Sequence, residues 1–388
     1  MRRLLEESFR AAVAAADPLQ ILGAHLPPPP RGRIFVAAAG KAAASMSLAA
    51  ERHYSAPIEG IAVTRYQHGL ATKSIRVVEA GHPVPDEAGE RAAREILESA
   101  QRLGPDDLLL VLISGGGSSL LSLPAPGVSM AELKALTGKL LKSGAEIREM
   151  NTVRKHLSAI AGGRLAAACR GKVVALIISD VVGDDPTHIA SGPCAADPTT
   201  IDDAKAILAR YRIDFRGRFS ESPKAVKAEN RVIATAMRSL EAAGEVFRKA
   251  GIRPEILGDT ITGEAREVGK EMAALARRAK GPVALISGGE CTVTIEGEGG
   301  RGGRCSEFLL ALGIEHPGVS AIAADTDGID GSEDNAGAVW LPEYAGRPDK
   351  EALLAKHDSY GFFLGAGGLV VTGPTRTNVN DYRAILVL

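Results

Sequence analysis

The stretch that decides the fold is Leu108–Ser119, which reads LLLVLISGGGSS. Its first six residues are all apolar, which indicates a strand buried on both faces, and a glycine-rich loop follows at once. Similar strand patterns alternate along the first half of the chain with helical ones. The strand patterns lie at Arg33–Ala38, Ile61–Thr64, Ile75–Glu79 and Lys172–Ile178, and the helical ones at Lys41–His53, Glu87–Leu103, Met130–Leu141 and Thr152–Cys169. This alternation predicts parallel βαβ units in a doubly wound sheet.

The pattern recurs in the second half of the chain. Strands are predicted at Arg231–Ala234, Pro254–Leu257, Val283–Ile286, Ser320–Ala323, Leu369–Val371 and Ala384–Leu388, with helices at Ser239–Ala250 and Glu264–Lys280. Cys291–Glu296 alternates apolar and polar residues, which is typical of one half of an exposed antiparallel pair. Arg210–Lys227 has little periodicity and is interpreted as the connection between domains. We therefore predict two α/β domains. A Rossmann-like parallel-sheet domain spans residues 1–227, a smaller mixed-sheet domain spans residues 228–388, and the active site lies in the cleft between them.

Composition excludes several classes of protein. The 388 residues carry 46 Lys and Arg against 47 Asp and Glu, and this balance gives no basic surface for nucleic acid or an anionic membrane. No apolar run approaches the roughly 18 residues of a membrane span. The four cysteines lie far apart and form no Cys-x-x-Cys pair, so neither a zinc site nor a disulfide framework is indicated. We expect a cytoplasmic protein whose partners are small molecules, with a homodimer as one alternative for its oligomeric state.

Candidate binding residues follow the predicted strands, and the carboxyl ends of strands are where ligands bind in open α/β sheets. The loop after Leu108–Ile113 offers backbone amides and hydroxyls to an anion, although a tight strand-to-helix turn would explain it equally well. Its residues are Ser114, Gly115, Gly116, Gly117, Ser118 and Ser119. The sequence LISGGG at Leu112–Gly117 recurs as LISGGE at Leu285–Glu290, so Ser287, Gly288, Gly289 and Glu290 form a second candidate phosphate or substrate loop. Lys41, beside Gly40, suits a phosphate clamp, although a lysine just inside a helix N-terminus is more often simply solvated.

Aspartates also collect after strands. Asp180 follows Lys172–Ile178, and Asp325 and Asp327 follow Ser320–Ala323. Carboxylates are ligands of the kind that Mg²⁺ prefers, whereas Asp-Gly pairs are also common in simple turns. We predict that Asp325 and Asp327 hold Mg²⁺. Asp180 is the candidate for orienting a substrate hydroxyl or accepting its proton.

The loop at Ile295–Glu307 contains five glycines together with Arg301 and Arg304, which suits an anion-binding flap. It also contains Gly297-x-Gly299-x-x-Gly302, formally a dinucleotide fingerprint. The preceding strand alternates and carries Glu296, whereas a first Rossmann strand should be apolar. The chain has neither a Walker A spacing nor a Gly-x-Ser-x-Gly elbow, so those two enzyme classes are not indicated.

Nine motifs occur in an order that resembles one known family. They are AAAGKAAASM, EAGHPVPDEAG, LISGGGSSLL, NTVRKHLSAIAGGRLA, SDVVGDDPTHIASGP, SGGECTV, GGRCSE, DTDGIDG and TGPTRTNVND. The chain resembles the class II glycerate 2-kinases, the MOFRL family, from about residue 5 to its end. The resemblance implies ATP-dependent phosphorylation of D-glycerate at its C2 hydroxyl, with Mg²⁺, in a cleft between two α/β domains.

The resemblance also implies roles for individual residues. The key lysine of the family falls on Lys41 and its key arginine on Arg304, and Arg154 of the NTVRKH motif is a candidate phosphate or substrate ligand. The chain departs from the family pattern at Cys305-Ser306, where Asn-Gln is usual, and at Arg376, where glycine is usual. These departures bear on substrate specificity. Members of the family have also been labelled hydroxypyruvate reductases, and an NAD(P)H-dependent reductase is the alternative interpretation.

Overall fold

The computed structural model describes residues 1–295 and 297–388, and these residues form two compact units. The Rossmann-like unit is Pro18–Ile233, and the mixed-sheet unit combines Met1–Asp17 with Ala234–Leu388. Each unit is built around one six-stranded sheet. The parallel sheet in one unit and the mixed sheet in the other confirm the predicted fold class. No helix in these two ranges is long and apolar enough to cross a membrane.

The Rossmann-like unit alternates strands with helices. Its strands are β1 (Ile34–Ala39), β2 (Ile58–Arg65), β3 (Ile75–Ala80), β4 (Leu108–Ile113), β5 (Lys172–Ile178) and β6 (Glu229–Ala234). Its helices are α2 (Pro18–Ile21), α3 (Ala43–His53), α4 (Glu87–Arg102), α5 (Gly117–Leu120), α6 (Met130–Lys142), α7 (Ile147–Lys155), α8 (Arg164–Ala168) and α9 (Ile201–Arg210). The strand order is β3-β2-β1-β4-β5-β6, and β1 to β5 pair in parallel. Strands β1 and β4 are buried along their whole length because helices cover both faces.

The mixed-sheet unit begins with α1 (Arg2–Ala14) and resumes after residue 233. Its strands are β7 (Arg253–Glu264), β8 (Val283–Thr292), β9 (Ser320–Asp325), β10 (Gly337–Trp340), β11 (Leu369–Val370) and β12 (Asp381–Val387). Its other helices are α10 (Ala236–Lys249), α11 (Ala265–Arg278), α12 (Arg304–Glu315), α13 (Lys350–Ala355) and α14 (Ser359–Ala366). The strand order is β11-β10-β9-β12-β8-β7, in which only β7 and β8 run parallel.

The single helix predicted at Thr152–Cys169 is wrong. Helix α7 ends at Lys155, and α8 begins only at Arg164. Between them Ser158 turns the chain, because its hydroxyl accepts the amides of Ile160 and Ala161 at 3.1 and 3.0 Å. Gly162 and Gly163 then take left-handed φ values of 60° and 82°. A polar residue that bonds its own local backbone competes with the helix, and apolar periodicity does not reveal that competition.

The units also differ from the predicted division of the chain. Arg210–Lys227 was expected to connect two domains, but it lies within Pro18–Ile233. Hydrogen bonds hold it there. The Ser220 amide donates to the His156 carbonyl at 2.9 Å, and the Asp197 amide donates to the Pro223 carbonyl at 3.1 Å. Strand β6, expected to open the second domain, extends the first sheet beside β5.

Cys291–Glu296 does not form the expected half of an antiparallel pair. Strand β8 continues to Thr292, and its last residues pair in parallel with β7, with Gly263 opposite Cys291. Cys291 is buried, while Thr292 is exposed. The alternation therefore arises because one face of this last part of β8 is buried and the other faces solvent. Glu296 lies outside the described residues.

Candidate active site

In the Rossmann-like unit, the structure brings Lys41 together with the glycine-rich loop. Strands β1 and β4 are neighbours and run parallel, so the residues that follow them meet at one edge of the sheet. The Lys41 amide donates to the Gly115 carbonyl at 2.8 Å, and the Ala42 amide donates to Oγ of Ser114 at 2.9 Å. Two backbone hydrogen bonds therefore fix the chain around Lys41 against this loop.

Two glycines make this close approach feasible. Gly40 has φ of 127°, and a Cβ there would lie 2.2 Å from Oγ of Ser114 and 2.5 Å from its carbonyl oxygen. Gly116 has φ of 81°, and a Cβ there would lie 2.8 Å from the His82 ring and 3.6 Å from Cγ of Lys41. The stem of Lys41, the ring of His82 and the backbone of Gly116 are thus packed around one point.

The serines of the loop are linked to a chain of polar side chains. Oγ of Ser118 lies 3.0 Å from Oγ of Ser191, and that hydroxyl is 3.4 Å from Oδ1 of Asn151. Arg154 donates to the same Oδ1 at 3.3 Å. Sequence reasoning missed Ser191 and Asn151. The signal was present in the ASGP and NTVRKH motifs, but only the fold brings them together.

Arg154 is partly buried, and burial lowers the pKa of its guanidinium. Its hydrogen bond to Asn151 is to a neutral group, and no ion pair of Arg154 is found among residues 1–295 and 297–388. A buried cation that lacks a counter-charge is costly, and an anionic ligand would offset that cost. The predicted role of Arg154 as an anion ligand is compatible with this setting.

A cavity of about 390 Å³ opens beside the loop. Its lining combines residues of α6, the His82–Pro85 segment, the serines of the loop and Arg154. The full lining is His82, Pro83, Val84, Pro85, Gly116, Ser118, Ser119, Ser122, Leu133, Lys134, Thr137, Gly138, Leu141 and Arg154. Its volume falls in the range of about 300–1,000 Å³ that is typical of small-molecule sites.

Asp180 follows β5, the strand that neighbours β4, and it is partly buried at the same edge of the sheet as Lys41 and the loop. Its position fits the predicted contribution to a substrate site. The role of its carboxylate in the reaction stays a prediction.

In the mixed-sheet unit, Arg304 is the centre of a cluster of carboxylates. It is the first residue of α12, and its three nitrogens donate to three different acids. The distances are 2.8 Å to Asp381, 2.7 Å to Asp325 and 2.7 Å to Glu290. Burial works against the charge of Arg304, but the acids outweigh it and raise the pKa of Arg304 well above its usual value. The guanidinium that was expected to clamp substrate is therefore engaged by the protein's own carboxylates.

Asp381 was not among the predicted site residues, yet it is the most enclosed acid of the cluster. It opens β12 and is held from both sides, by Arg304 and by Arg383, whose nitrogen lies 2.7 Å away. Burial alone would raise the pKa of Asp381, but the two guanidinium groups outweigh it and lower that pKa. The sequence did contain a signal for this site, because Asp381 and Arg383 are charged residues in DYRAILV, an otherwise apolar strand.

The Ser287–Glu290 segment has a different setting from the loop it resembles. Strand β8 runs through it to Thr292, so these residues belong to the sheet rather than to a turn after it. Gly289 has φ of 113°, and a Cβ there would lie 2.1 Å from the Ile261 carbonyl oxygen in β7. The glycine is required for strand packing, and Glu290 is a partner of Arg304. Ser287, Gly288 and Gly289 thus lack the loop geometry on which their predicted phosphate-binding role was based.

Asp325 and Asp327 are buried neighbours, as the magnesium prediction requires. One oxygen of Asp325 accepts from Arg304 and the other from the Asp327 amide at 3.0 Å. No group of three or more His, Cys, Asp or Glu in the described part of the chain is arranged to hold a metal ion. The two hard carboxylates fit an ion that brings most of its own ligands, as Mg²⁺ does with nucleotide phosphates and waters.

The N-terminus of α12 is closed by Asp330. This fully buried carboxylate accepts the amides of Cys305 and Ser306 at 2.9 and 2.8 Å and the Ser306 hydroxyl at 2.6 Å. Burial raises the pKa of Asp330 to about 6, against these hydrogen bonds. A dinucleotide fingerprint requires free amides at the start of its helix to bind pyrophosphate. Here those amides already bind an internal carboxylate.

Comparison with known proteins identifies the family. Residues 4–226 match the family model described as Domain of unknown function (DUF4147), and residues 283–381 match that of the MOFRL family. A protein from Agrobacterium vitis named "Putative hydroxypyruvate reductase" is 51% identical over the whole chain and 94% of its own length. The "Glycerate 2-kinase" of Pyrococcus horikoshii is 42% identical and covers 92% of this chain and 88% of its own.

Solved structures give the same result. The crystal structure of a glycerate kinase from Thermotoga maritima matches with a TM-score of 0.89 and 37% identity, and it covers 100% of this chain and 99% of its own. Both family models and both kinds of relative thus extend over the two units described above. The chain belongs to the DUF4147–MOFRL family, the family of the glycerate 2-kinases.

Proposed function

We propose that this protein transfers the γ-phosphoryl group of ATP to the C2 hydroxyl of D-glycerate and releases 2-phosphoglycerate and ADP. The observation that carries the proposal is a pair of hydrogen bonds at the carboxyl edge of β1 and β4. They connect the amides of Lys41 and Ala42 to Gly115 and Ser114 of the glycine-rich loop. These bonds fix the backbone of Lys41 beside the amides and hydroxyls of the loop, and this supports a role for its ammonium group at the transferring phosphate. Such an arrangement stabilises the charge on a transferring phosphoryl group without any reorganisation during the reaction.

The reaction needs no covalent enzyme intermediate. The C2 oxygen of glycerate forms a bond to the γ-phosphorus, and the bond between that phosphorus and the bridging oxygen of ADP breaks. The hydroxyl proton leaves to a carboxylate, for which Asp180 is our candidate. Catalysis then depends on positioning and on neutralising charge, which is the usual requirement of phosphoryl transfer.

Mg²⁺ accompanies the nucleotide in this proposal. Asp325 and Asp327 would hold it through their buried carboxylates, and the ion supplies charge neutralisation at the phosphates when bound. Arg304 orients Asp325 through its 2.7 Å bond and limits the negative charge that the acids accumulate. We therefore assign Arg304 first to positioning the acidic cluster, and only second to contact with substrate.

The reductase alternative has a specific argument against it. The Gly297–Gly302 fingerprint precedes a helix whose first amides are bound by Asp330, and the strand before it ends at Thr292, several residues upstream. Neither feature suits pyrophosphate binding. This loop therefore does not support a hydroxypyruvate reductase activity, the activity given in the name of the Agrobacterium relative.

The decisive experiment is a coupled assay with ATP, Mg²⁺ and D-glycerate. Enolase in the coupling system accepts 2-phosphoglycerate directly, whereas 3-phosphoglycerate needs a mutase, so omission of the mutase tests the position of transfer. We expect turnover without mutase. Oxidation of NADH by hydroxypyruvate in the absence of ATP, with no turnover in the kinase assay, would replace the proposal by the reductase alternative.

A further inference from the structure

The lining of the cavity beside the glycine-rich loop combines two kinds of side chain. Ser118, Ser119 and Arg154 present hydroxyls and a partly buried cation. Apolar surface comes from prolines and aliphatic side chains, namely Pro83, Val84, Pro85, Leu133 and Leu141. A single ligand that filled the cavity would therefore need an apolar part joined to an anionic part.

The charges of the lining side chains favour an anionic ligand. Among the lining residues of the described chain, Lys134 and Arg154 are cationic and none is acidic. Arg154 is partly buried and has no ion pair among the described residues. Because an anion stabilises a partly desolvated guanidinium that has no counter-charge, the part of the lining around Arg154 is complementary to phosphate.

The apolar side chains of the lining are complementary to a planar base and not to glycerate. Val84 and Leu141 keep 62% and 67% of their surface exposed, although both line the cavity. A bound base would remove this apolar surface from water, with a gain of about 25 cal/mol per Å² covered. Glycerate is a three-carbon hydroxy acid without apolar surface to match, and it would leave most of the cavity empty.

The position of the cavity connects it to the reacting group. Gly116 and His82 belong to its lining, and a Cβ built on Gly116 would lie 2.8 Å from the His82 ring and 3.6 Å from Cγ of Lys41. A nucleotide with its base against the apolar side chains and its phosphates along the loop would thus bring its phosphate chain close to Lys41.

We propose that this cavity is the nucleoside subsite of the kinase, with the adenine between α6 and the His82–Pro85 segment and the phosphates at Ser118, Ser119 and Arg154. This inference rests on the proposed function for the identity of the nucleotide. It goes further in naming which part of the molecule holds the base.

Gly138 offers a direct test. It lines the cavity in the middle of α6, and a Cβ built there meets no atom within 4 Å. The Cβ of a larger residue is therefore accommodated, and we expect the ring of Gly138→Phe to occupy part of the cavity. Ala135→Phe is the matched control because Ala135 is exposed on the same helix and is not part of the lining.

Binding of ADP and of tripolyphosphate to the wild type and both variants is measured by calorimetry. We expect Gly138→Phe to weaken ADP binding at least about tenfold, which corresponds to about 1.4 kcal/mol. Tripolyphosphate, which has no base, should bind all three proteins with similar affinity. In the coupled assay the KM for ATP should rise in Gly138→Phe, while the KM for glycerate stays near the wild-type value.

A second pair of variants guards against misfolding of Gly138→Phe. Val84→Asp replaces apolar surface that the base would cover by a hydrated carboxylate, and Ile147→Asp introduces the same acid at an exposed residue outside the cavity. We expect only Val84→Asp to weaken ADP binding.

The outcomes separate this inference from the proposed function. Wild-type ADP affinity in Gly138→Phe and Val84→Asp would overturn the subsite while leaving the kinase reaction intact. A selective loss of glycerate affinity would also overturn it, because the cavity would then hold the acid. If the wild type binds ADP with the expected variant pattern but does not phosphorylate glycerate, the subsite stands and the proposed reaction fails.

Discussion

At the scale of single residues, the side chain of Lys41 allows the effect of a substitution on catalysis to be measured apart from its effect on folding. Its backbone is held by the bond to Gly115, so removal of the side chain leaves the loop anchored. We expect Lys41→Ala to lower kcat/KM by about 10²–10³-fold, which is about 3–4 kcal/mol of transition-state stabilisation. The assay is the coupled one above, with thermal unfolding measured in parallel. Lys41→Arg keeps the charge and should recover part of the rate. Activity within tenfold of wild type in folded Lys41→Ala would remove the residue from the mechanism.

Arg304 behaves differently because it neutralises buried acids. In Arg304→Met, Asp325 and Asp381 each lose a charged partner inside the protein. Breaking a buried ion pair from one side costs about 3–5 kcal/mol, so we expect a loss of that order in the free energy of unfolding by urea. Glu290→Gln is the matched control. Glu290 is half exposed, and its bond to Arg304 should contribute about 1 kcal/mol or less. Equal stability of Arg304→Met and Glu290→Gln would show that the acids do not depend on Arg304.

At the scale of elements, the sequence predicts strands and the loops after them better than it predicts which loops bind. Ser114–Ser119 was correctly placed beside Lys41 because parallel neighbouring strands end at one edge of a sheet. Ser287–Gly289 has nearly the same sequence, but its strand continues, and Gly289 packs closely against Ile261 of the neighbouring strand. The difference depends on the neighbouring strand, which a local pattern does not contain. Asp381 escaped prediction for a related reason, since one of its two arginine partners, Arg304, comes from α12, which lies far away in the sequence.

The tight turn between β1 and α3 provides a test at this scale. Gly40→Ala would place a Cβ against Ser114 at a φ of 127°, so we expect it to destabilise the Rossmann-like unit by more than about 1 kcal/mol. Gly138→Ala is the opposite case. It adds a methyl group in open space within a helix and should stabilise by about 0.5–1 kcal/mol. Urea unfolding of the two variants checks both signs, and a neutral Gly40→Ala would contradict the packing described for this turn.

The cap of α12 predicts a dependence of stability on pH. The pKa of Asp330 is about 6 in the folded protein against a usual value of 3.8, so the folded state binds a proton more tightly than the unfolded state. Its contribution to stability is therefore full below pH 4 and is lost as the pH rises through 6. We expect the stability of the wild type relative to Asp330→Asn to increase by about 2–3 kcal/mol between pH 7 and pH 4. Urea unfolding at both pH values measures it. A relative stability that does not change with pH would mean that Asp330 titrates normally.

At the scale of the whole molecule, the two α/β units were predictable, but the assignment of the first helix was not. The alternation of strands and helices is local and recurs in both halves, so it reveals two sheets. Helix α1 lies at the start of the chain and packs against α10 of the mixed-sheet unit, a contact between distant parts of the sequence. The apolar stripe of α1 predicts that this face of the helix is buried, but it does not predict against which unit. The assignment of β6 was also wrong: this strand follows the irregular segment Arg210–Lys227, yet it belongs to the first sheet.

The long-range packing of α1 predicts that a substitution near the N-terminus destabilises the C-terminal sheet. Phe9 is 1% exposed and packs against Tyr382, with ring centroids 6.0 Å apart, while the Tyr382 hydroxyl donates to Oγ of Ser8 at 2.8 Å. Truncation of a buried phenylalanine to alanine costs about 3–5 kcal/mol, and we expect Phe9→Ala to lose stability of that order. The single tryptophan, Trp340, is buried in the mixed-sheet unit, so its fluorescence reports unfolding of that unit.

The control for this prediction is Arg3→Ala, on the exposed side of α1, which should leave the tryptophan transition where it is. Hydrogen exchange locates the effect, because Phe9→Ala should speed exchange in β8, β9 and β12 and not in β1 and β4. This follows from α1 belonging to the core around Tyr382, while the apolar residues of β1 and β4 pack in a separate cluster. Faster exchange in β1 and β4, with an unchanged tryptophan transition, would contradict this prediction. Helix α1 would then stabilise the Rossmann-like unit, and residues 1–17 would belong to that unit, as the sequence had predicted.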